Sequence, residues 1–107
     1  MQIEELNVFT KLFDVYGKLL SKKQFEVMDK FLNLDIGESE LAQIQGESRQ
    51  SVHDAISKAK KQLLEFEEKS GIIKSYNNIK SKLTEAQAFL TDSAKANEII
   101  DDIVNSI

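Results

Sequence analysis

No proline occurs anywhere in the 107 residues, so nothing in the chain forces a helix to break. The glycines at 17, 37, 46 and 71 are the main punctuation. Between them the apolar spacing is helical nearly everywhere. Ile3, Leu6, Phe9, Phe13, Tyr16 and Leu20 recur at three and four residues, with Val8, Leu12, Val15 and Leu19 as a second stripe. A face that wide predicts a helix buried against several neighbours. No stretch alternates as a strand would, and no internal repeat is visible. The expected fold class is all-α.

Ser21-Lys22-Lys23-Gln24 reads as a capping box, with Ser21 as N-cap and Gln24 reaching back. The helix it opens should stop near Asp35-Ile36-Gly37, with Gly37 as the left-handed exit. A short helix over Glu38–Gln45 then ends at Gly46, and Ser48 caps a long helix running to Ser70-Gly71. Beyond Gly71 the pattern narrows: Ile72, Tyr76, Ile79, Leu83, Ala86 and Leu90 form a seam of alternating fours and threes. Thr84-Glu85-Ala86-Gln87 reads as a further capping box, which would divide this segment into two helices; without it the seam is one helix. Thr91-Asp92 is the expected cap of a last helix carrying Ile99, Ile100, Ile103, Val104 and Ile107. The predicted organisation is a domain over residues 1–70 and a helical extension over residues 71–107, either packed on that domain or dimerising.

Composition narrows the function. There are 14 basic residues against 18 acidic ones, a net charge of −4, no cysteine and one histidine. Disulfides, thiolate metal sites and cysteine catalysis are excluded, as is a multi-histidine metal site. The longest apolar runs are two or three residues, so no membrane insertion is expected. MQIEELNVF lacks the basic-then-apolar order of a secretory signal, which points to the cytoplasm. No glycine-rich phosphate loop is present, and no nucleophile, base and orienting group can be assembled around His53. Glu65, Glu67, Glu68 and Lys69 read as a solvated helix face, Asp101-Asp102 as solvent-facing acids, and Tyr16 as core. Neither an enzyme nor a cofactor is expected.

Glu38 to Lys61 is the informative stretch: short helix, glycine turn, longer helix, the outline of a helix-turn-helix. Leu41 and Ala42 suit a close helix crossing, Gly46 suits a positive φ, and Val52 and Ile56 anchor the second helix. Gln45 and Glu47 flank the turn glycine, which predicts a turn less tightly packed than an apolar one. Ser48, Arg49, Gln50, His53 and Ser57 would then occupy the face offered to a major groove, where Arg and Gln match guanine and adenine edges. Lys58, Lys60 and Lys61 would meet phosphates further along. The charge is distributed accordingly: residues 48–64 hold four basic residues and one acid, residues 1–47 five against nine, residues 65–107 five against eight. A patch that small predicts weak, salt-dependent nucleic-acid binding. The same segment with no groove contact would be an ordinary helix pair serving protein or RNA interaction.

Two motifs carry a family resemblance. Leu12-Phe13-Asp14-Val15-Tyr16-Gly17-Lys18-Leu19-Leu20-Ser21-Lys22-Lys23-Gln24 resembles an aromatic-Tyr-x-x-Leu-Leu-Ser/Thr-x-Lys-Gln signature. Glu47-Ser48-Arg49-Gln50-Ser51-Val52-His53-Asp54-Ala55-Ile56 resembles a Ser-Arg-Gln-x-Val-His/Tyr-Asp recognition segment, and Lys61–Lys69 the stretch after it. Together, over roughly residues 5–75, they resemble the YlxM-like helix-turn-helix proteins of low-GC Gram-positive bacteria and mycoplasmas. Glu38-Ser39, Gln45 and Glu47 depart from the apolar residues usual in that family. The resemblance implies a fold like region 4 of sigma factors. It also implies a link to the signal recognition particle, whose protein and receptor genes lie beside those of the family. The partners it implies are DNA and the particle's protein or RNA, with the protein as regulator or accessory component. A homodimer through the seam fits the same picture, since such proteins commonly read palindromes as dimers.

Overall fold

The computed structural model describes residues 2–90 and 93–106, and every regular element among them is a helix. In order they are α1 (Ile3–Tyr16), a 3₁₀ turn (Gly17–Leu19), α2 (Lys22–Leu32), α3 (Glu38–Gln45), α4 (Arg49–Ser70), α5 (Ile72–Gln87) and α6 (Ala94–Ser106). The chain divides into two compact units, Met1–Ser70 and Gly71–Ile107.

Among the described residues, all the buried apolar side chains belong to the first unit. α4 is its axis, packing against α1, α2 and α3. Val52, Ile56, Ala59 and Leu63, at the spacing of one helix face, are buried along it. Phe9, Leu12, Phe13 and Tyr16 come from α1, Val27, Met28 and Leu32 from α2, and Leu41 and Ala42 from α3. The second stripe of α1 behaves otherwise than its spacing predicts. Leu12 is buried, but Val8 and Leu19 are exposed and Val15 is half-buried. The ring of Phe13 lies against Gly17, where a Cβ would stand 3.0 Å from ring carbons. It also meets Phe25 of α2 at 5.0 Å between centroids.

Helix ends follow local chemistry. Ser21 Oγ accepts from Gln24 N while Gln24 Oε1 accepts from Ser21 N, so the capping box is complete. α2 ends at Leu32, earlier than expected, and the left-handed residue after it is Asp35 (φ 53°). Gly37 is extended (φ −72°, ψ 165°) and serves instead as N-cap of α3. Asp tolerates the left-handed region because its short polar side chain bonds locally. Thr84 lies inside α5, donating its hydroxyl to the carbonyl of Lys80, so α5 is one helix to Gln87. The expected cap at Thr91-Asp92 falls outside the described residues; Ser93 Oγ accepts from Ala96 N at the start of α6.

In the second unit α5 and α6 pack on each other. Gln87 bridges them, its Nε2 donating to Asp101 Oδ1 at 2.8 Å, and Asn97 Nδ2 donates to the carbonyl of Leu90. None of the residues of either helix is buried. Ile72, Tyr76 and Ile79 on α5, and Ile99 and Ile103 on α6, are exposed.

Candidate nucleic-acid interface

α3, its turn and α4 make the helix-turn-helix. Gly46 is left-handed (φ 67°), its amide bonded to Gln43 O at 3.3 Å, while Glu47 N returns to Ala42 O at 3.0 Å. That pair of bonds is a Schellman motif, closing the carbonyls of α3 within one residue of turn. Ser48 then caps α4, its Oγ accepting from Ser51 N at 3.0 Å. Gln45 and Glu47, polar where an apolar turn would pack, are both half-buried. Glu47 accepts from Lys23 Nζ of α2 and from Ser51 Oγ, so an ion pair fastens the turn to α2.

Of the eight side chains expected at a groove, seven are exposed: Ser48, Arg49, Gln50, His53, Ser57, Lys58 and Lys61. Gln50, Ser57 and Lys61, at spacings of seven and four, share one side of α4. Lys58 turns towards α2, and with Ser21, Lys23, Gln24 and Ser48 it lines an open recess of about 580 Å³. Lys60 does not join them. It is half-buried, its ammonium 5.1 Å from the centroid of Phe9 and 5.8 Å from that of Phe31, and it pairs with Glu5 at 3.7 Å. Its aliphatic stem and charge serve the junction of α1, α2 and α4, about 16 Å along the helix from Arg49.

Sequence reasoning did not pair Arg49, Gln50 and His53 with the acids that meet them, Glu38 and Asp54. Glu38, the first residue of α3, places Oε1 3.0 Å and Oε2 3.2 Å from His53 Nδ1, and Oε2 4.0 Å from Arg49 Nε. An ionised carboxylate only accepts, so this bond puts the ring proton on Nδ1. Gln50 Nε2 donates to Asp54 Oδ1 at 2.9 Å. The i, i+4 spacing of Gln50 and Asp54 was open to view. The reach of Glu38 across the turn, 15 residues to His53, was not, because it depends on how α3 crosses α4.

Among the described residues no group of three His, Cys, Asp or Glu could hold a metal ion, and no helix is long and apolar enough to cross a membrane.

Comparison with known proteins agrees with this geometry. Residues 3–104 match a family model described as "Putative helix-turn-helix protein, YlxM / p13 like". A UPF0122 protein of Clostridium kluyveri is 33% identical over 107 residues, covering 98% of this chain and 96% of its own. Similar proteins of Acetivibrio thermocellus (39% over 74 residues; 69% of this chain, 63% of theirs) and Clostridium perfringens (45% over 58 residues; 54% and 52%) share shorter stretches. With an all-α helix-turn-helix and a match spanning nearly its whole length, the chain belongs to the UPF0122 family of YlxM/p13-like helix-turn-helix proteins.

Proposed function

We propose that this protein binds nucleic acid through the first turns of α4 and serves the signal recognition particle pathway as a regulator or accessory component, without enzymatic activity. One observation carries the binding role: directly after the Gly46 turn, Arg49, Gln50, His53 and Ser57 are exposed on a helix held rigidly by its opposite face. Lys58 and Lys61 supply charge for phosphates on the same helix. The link to protein targeting is supported by the motif resemblance alone. A second reading, a protein- or RNA-interaction module without sequence-specific DNA binding, is favoured by the acids bonded to Arg49, His53 and Gln50.

A titration against genomic DNA fragments, and against the particle's RNA and protein, at two salt concentrations separates the two. The first reading expects DNA affinity that falls steeply with salt, and Arg49→Ala to weaken the preferred fragment by about 1–3 kcal/mol. DNA affinity indifferent to Arg49→Ala removes groove reading. Binding to the particle's RNA or protein with none to DNA establishes the second.

The second unit is proposed to dimerise. A hairpin of two helices with nothing buried lacks a core of its own. The exposed Ile72, Tyr76 and Ile79 continue the 4-3 spacing that suits a facing helix, here that of a second copy. At tens of micromolar the protein should sediment as a dimer and an Ile79→Glu variant as a monomer. A monomeric wild type rejects the seam.

A further inference from the structure

We infer that Glu38 is a specificity-determining residue of this interface: its carboxylate, seated under Arg49 and His53, suppresses indiscriminate attraction to phosphate while leaving directional base contacts available. The inference rests on the nucleic-acid reading above and adds a residue that this reading does not use. Glu38 begins α3, yet its side chain is spent on α4, contacting Arg49 and His53, 11 and 15 positions further along the chain. The side chain of Glu38 is 24% exposed against 54% for His53 and 73% for Arg49, so the acid lies beneath and the donors lie outermost. Together with Gln50 they line an open recess of about 380 Å³.

The chemistry of the two contacts is unequal. Arg49 is the chain's one arginine, and Glu38 faces its Nε. The Nη fork, which matches guanine N7 and O6, is not part of that contact. Glu38 therefore offsets part of the charge that every DNA sequence would feel, and leaves the planar donors that only some sequences satisfy. Charge-driven attraction is the part of protein–DNA affinity that carries no sequence information. Lowering it widens the ratio between a fitting and a non-fitting site.

Glu38→Gln, Glu40→Gln, Arg49→Ala and the wild type are compared on a random-sequence duplex and on a panel of genomic fragments, at two salt concentrations. Glu40 is two residues along the same helix, about 200° round it, and is exposed, so its variant changes net charge equally at a different face. Glu38→Gln is expected to bind the random duplex about three- to tenfold tighter than the wild type. Its plot of log affinity against log salt should steepen by about one, and its affinities across the panel should converge. Glu40→Gln should stay within about twofold of the wild type on the same duplex. Glu38→Ala removes the same charge with a different side chain and must move in the same direction, with helicity checked by circular dichroism. Equal behaviour of the Glu38 and Glu40 variants, or weaker binding by Glu38→Gln, overturns the inference. If Arg49→Ala still weakens the wild type in that case, the nucleic-acid reading survives alone. If neither the wild type nor Glu38→Gln binds any duplex, the inference and the DNA-binding reading both fall.

Discussion

Leu41→Ala is expected to lower the unfolding free energy by about 2–5 kcal/mol, read as a shift of the denaturant midpoint with an unchanged slope. Leu41 has 0% exposure and sits on an eight-residue helix that packs against both α2 and α4. Truncation removes apolar area and leaves a cavity, and its neighbour Ala42 is too small to fill it. A domain of this size has roughly 4–10 kcal/mol to lose, so the loss is a large share of the total. Ile44, three residues along the same helix, is 51% exposed, and Ile44→Ala should change stability by no more than about 0.5 kcal/mol. A Leu41→Ala cost as small as that of Ile44→Ala would mean α3 is not seated against the core as described.

Tyr16→Phe is the second large effect, about 1–2 kcal/mol, from a change that keeps the ring. The Tyr16 hydroxyl donates to Glu67 Oε1 at 2.7 Å and lies 2.6 Å from Ser70 Oγ, joining the end of α1 to the last turn of α4. The ring stays 6.0 Å from that of Phe66, so packing is unchanged and the loss isolates the hydroxyl. Hydrogen exchange locates it: amides around residues 66–70 should exchange faster, while those of Val52 to Ala59 change only in step with global stability. Uniform acceleration over the whole of α4 would show that the hydroxyl bears on global stability rather than on the last turn.

The parts legible in the sequence are those fixed within a few residues. The capping box at Ser21, the Gly46 turn, the Ser48 cap and the burial of Leu41, Ala42, Val52 and Ile56 all follow from spacing, since each depends on one helix and its immediate end. Competition between neighbours was not legible. Asp35 and Gly37 both suit a left-handed site, and which one takes it depends on where α2 unwinds. Val8 and Leu19 have helical spacing yet are exposed, because spacing names a face without naming what covers it. The Thr84 pattern has the letters of a cap, yet it falls where α5 simply continues. At the interface, the sequence identifies Arg49, Gln50 and His53 as exposed polar residues on one helix, and they are so placed. The acid on α3 that meets Arg49 and His53, and the diversion of Lys60 towards the rings of Phe9 and Phe31, arise from the crossing of helices. No periodicity encodes those contacts.

The joining of α1 to α4 also bears on how the chain is made. Tyr16 and Ser70 are 54 residues apart, and the apolar face of α1 is covered in part by α4, the last helix of its unit. During synthesis at about 5–20 residues per second, that face waits roughly 3–10 s for its cover. The part of that face that α4 covers, Phe9 beneath Lys60 included, is therefore completed only when the last residues of the unit have been made. The domain completes itself when its last turn appears, and until then its first helix is a surface that a chaperone can hold.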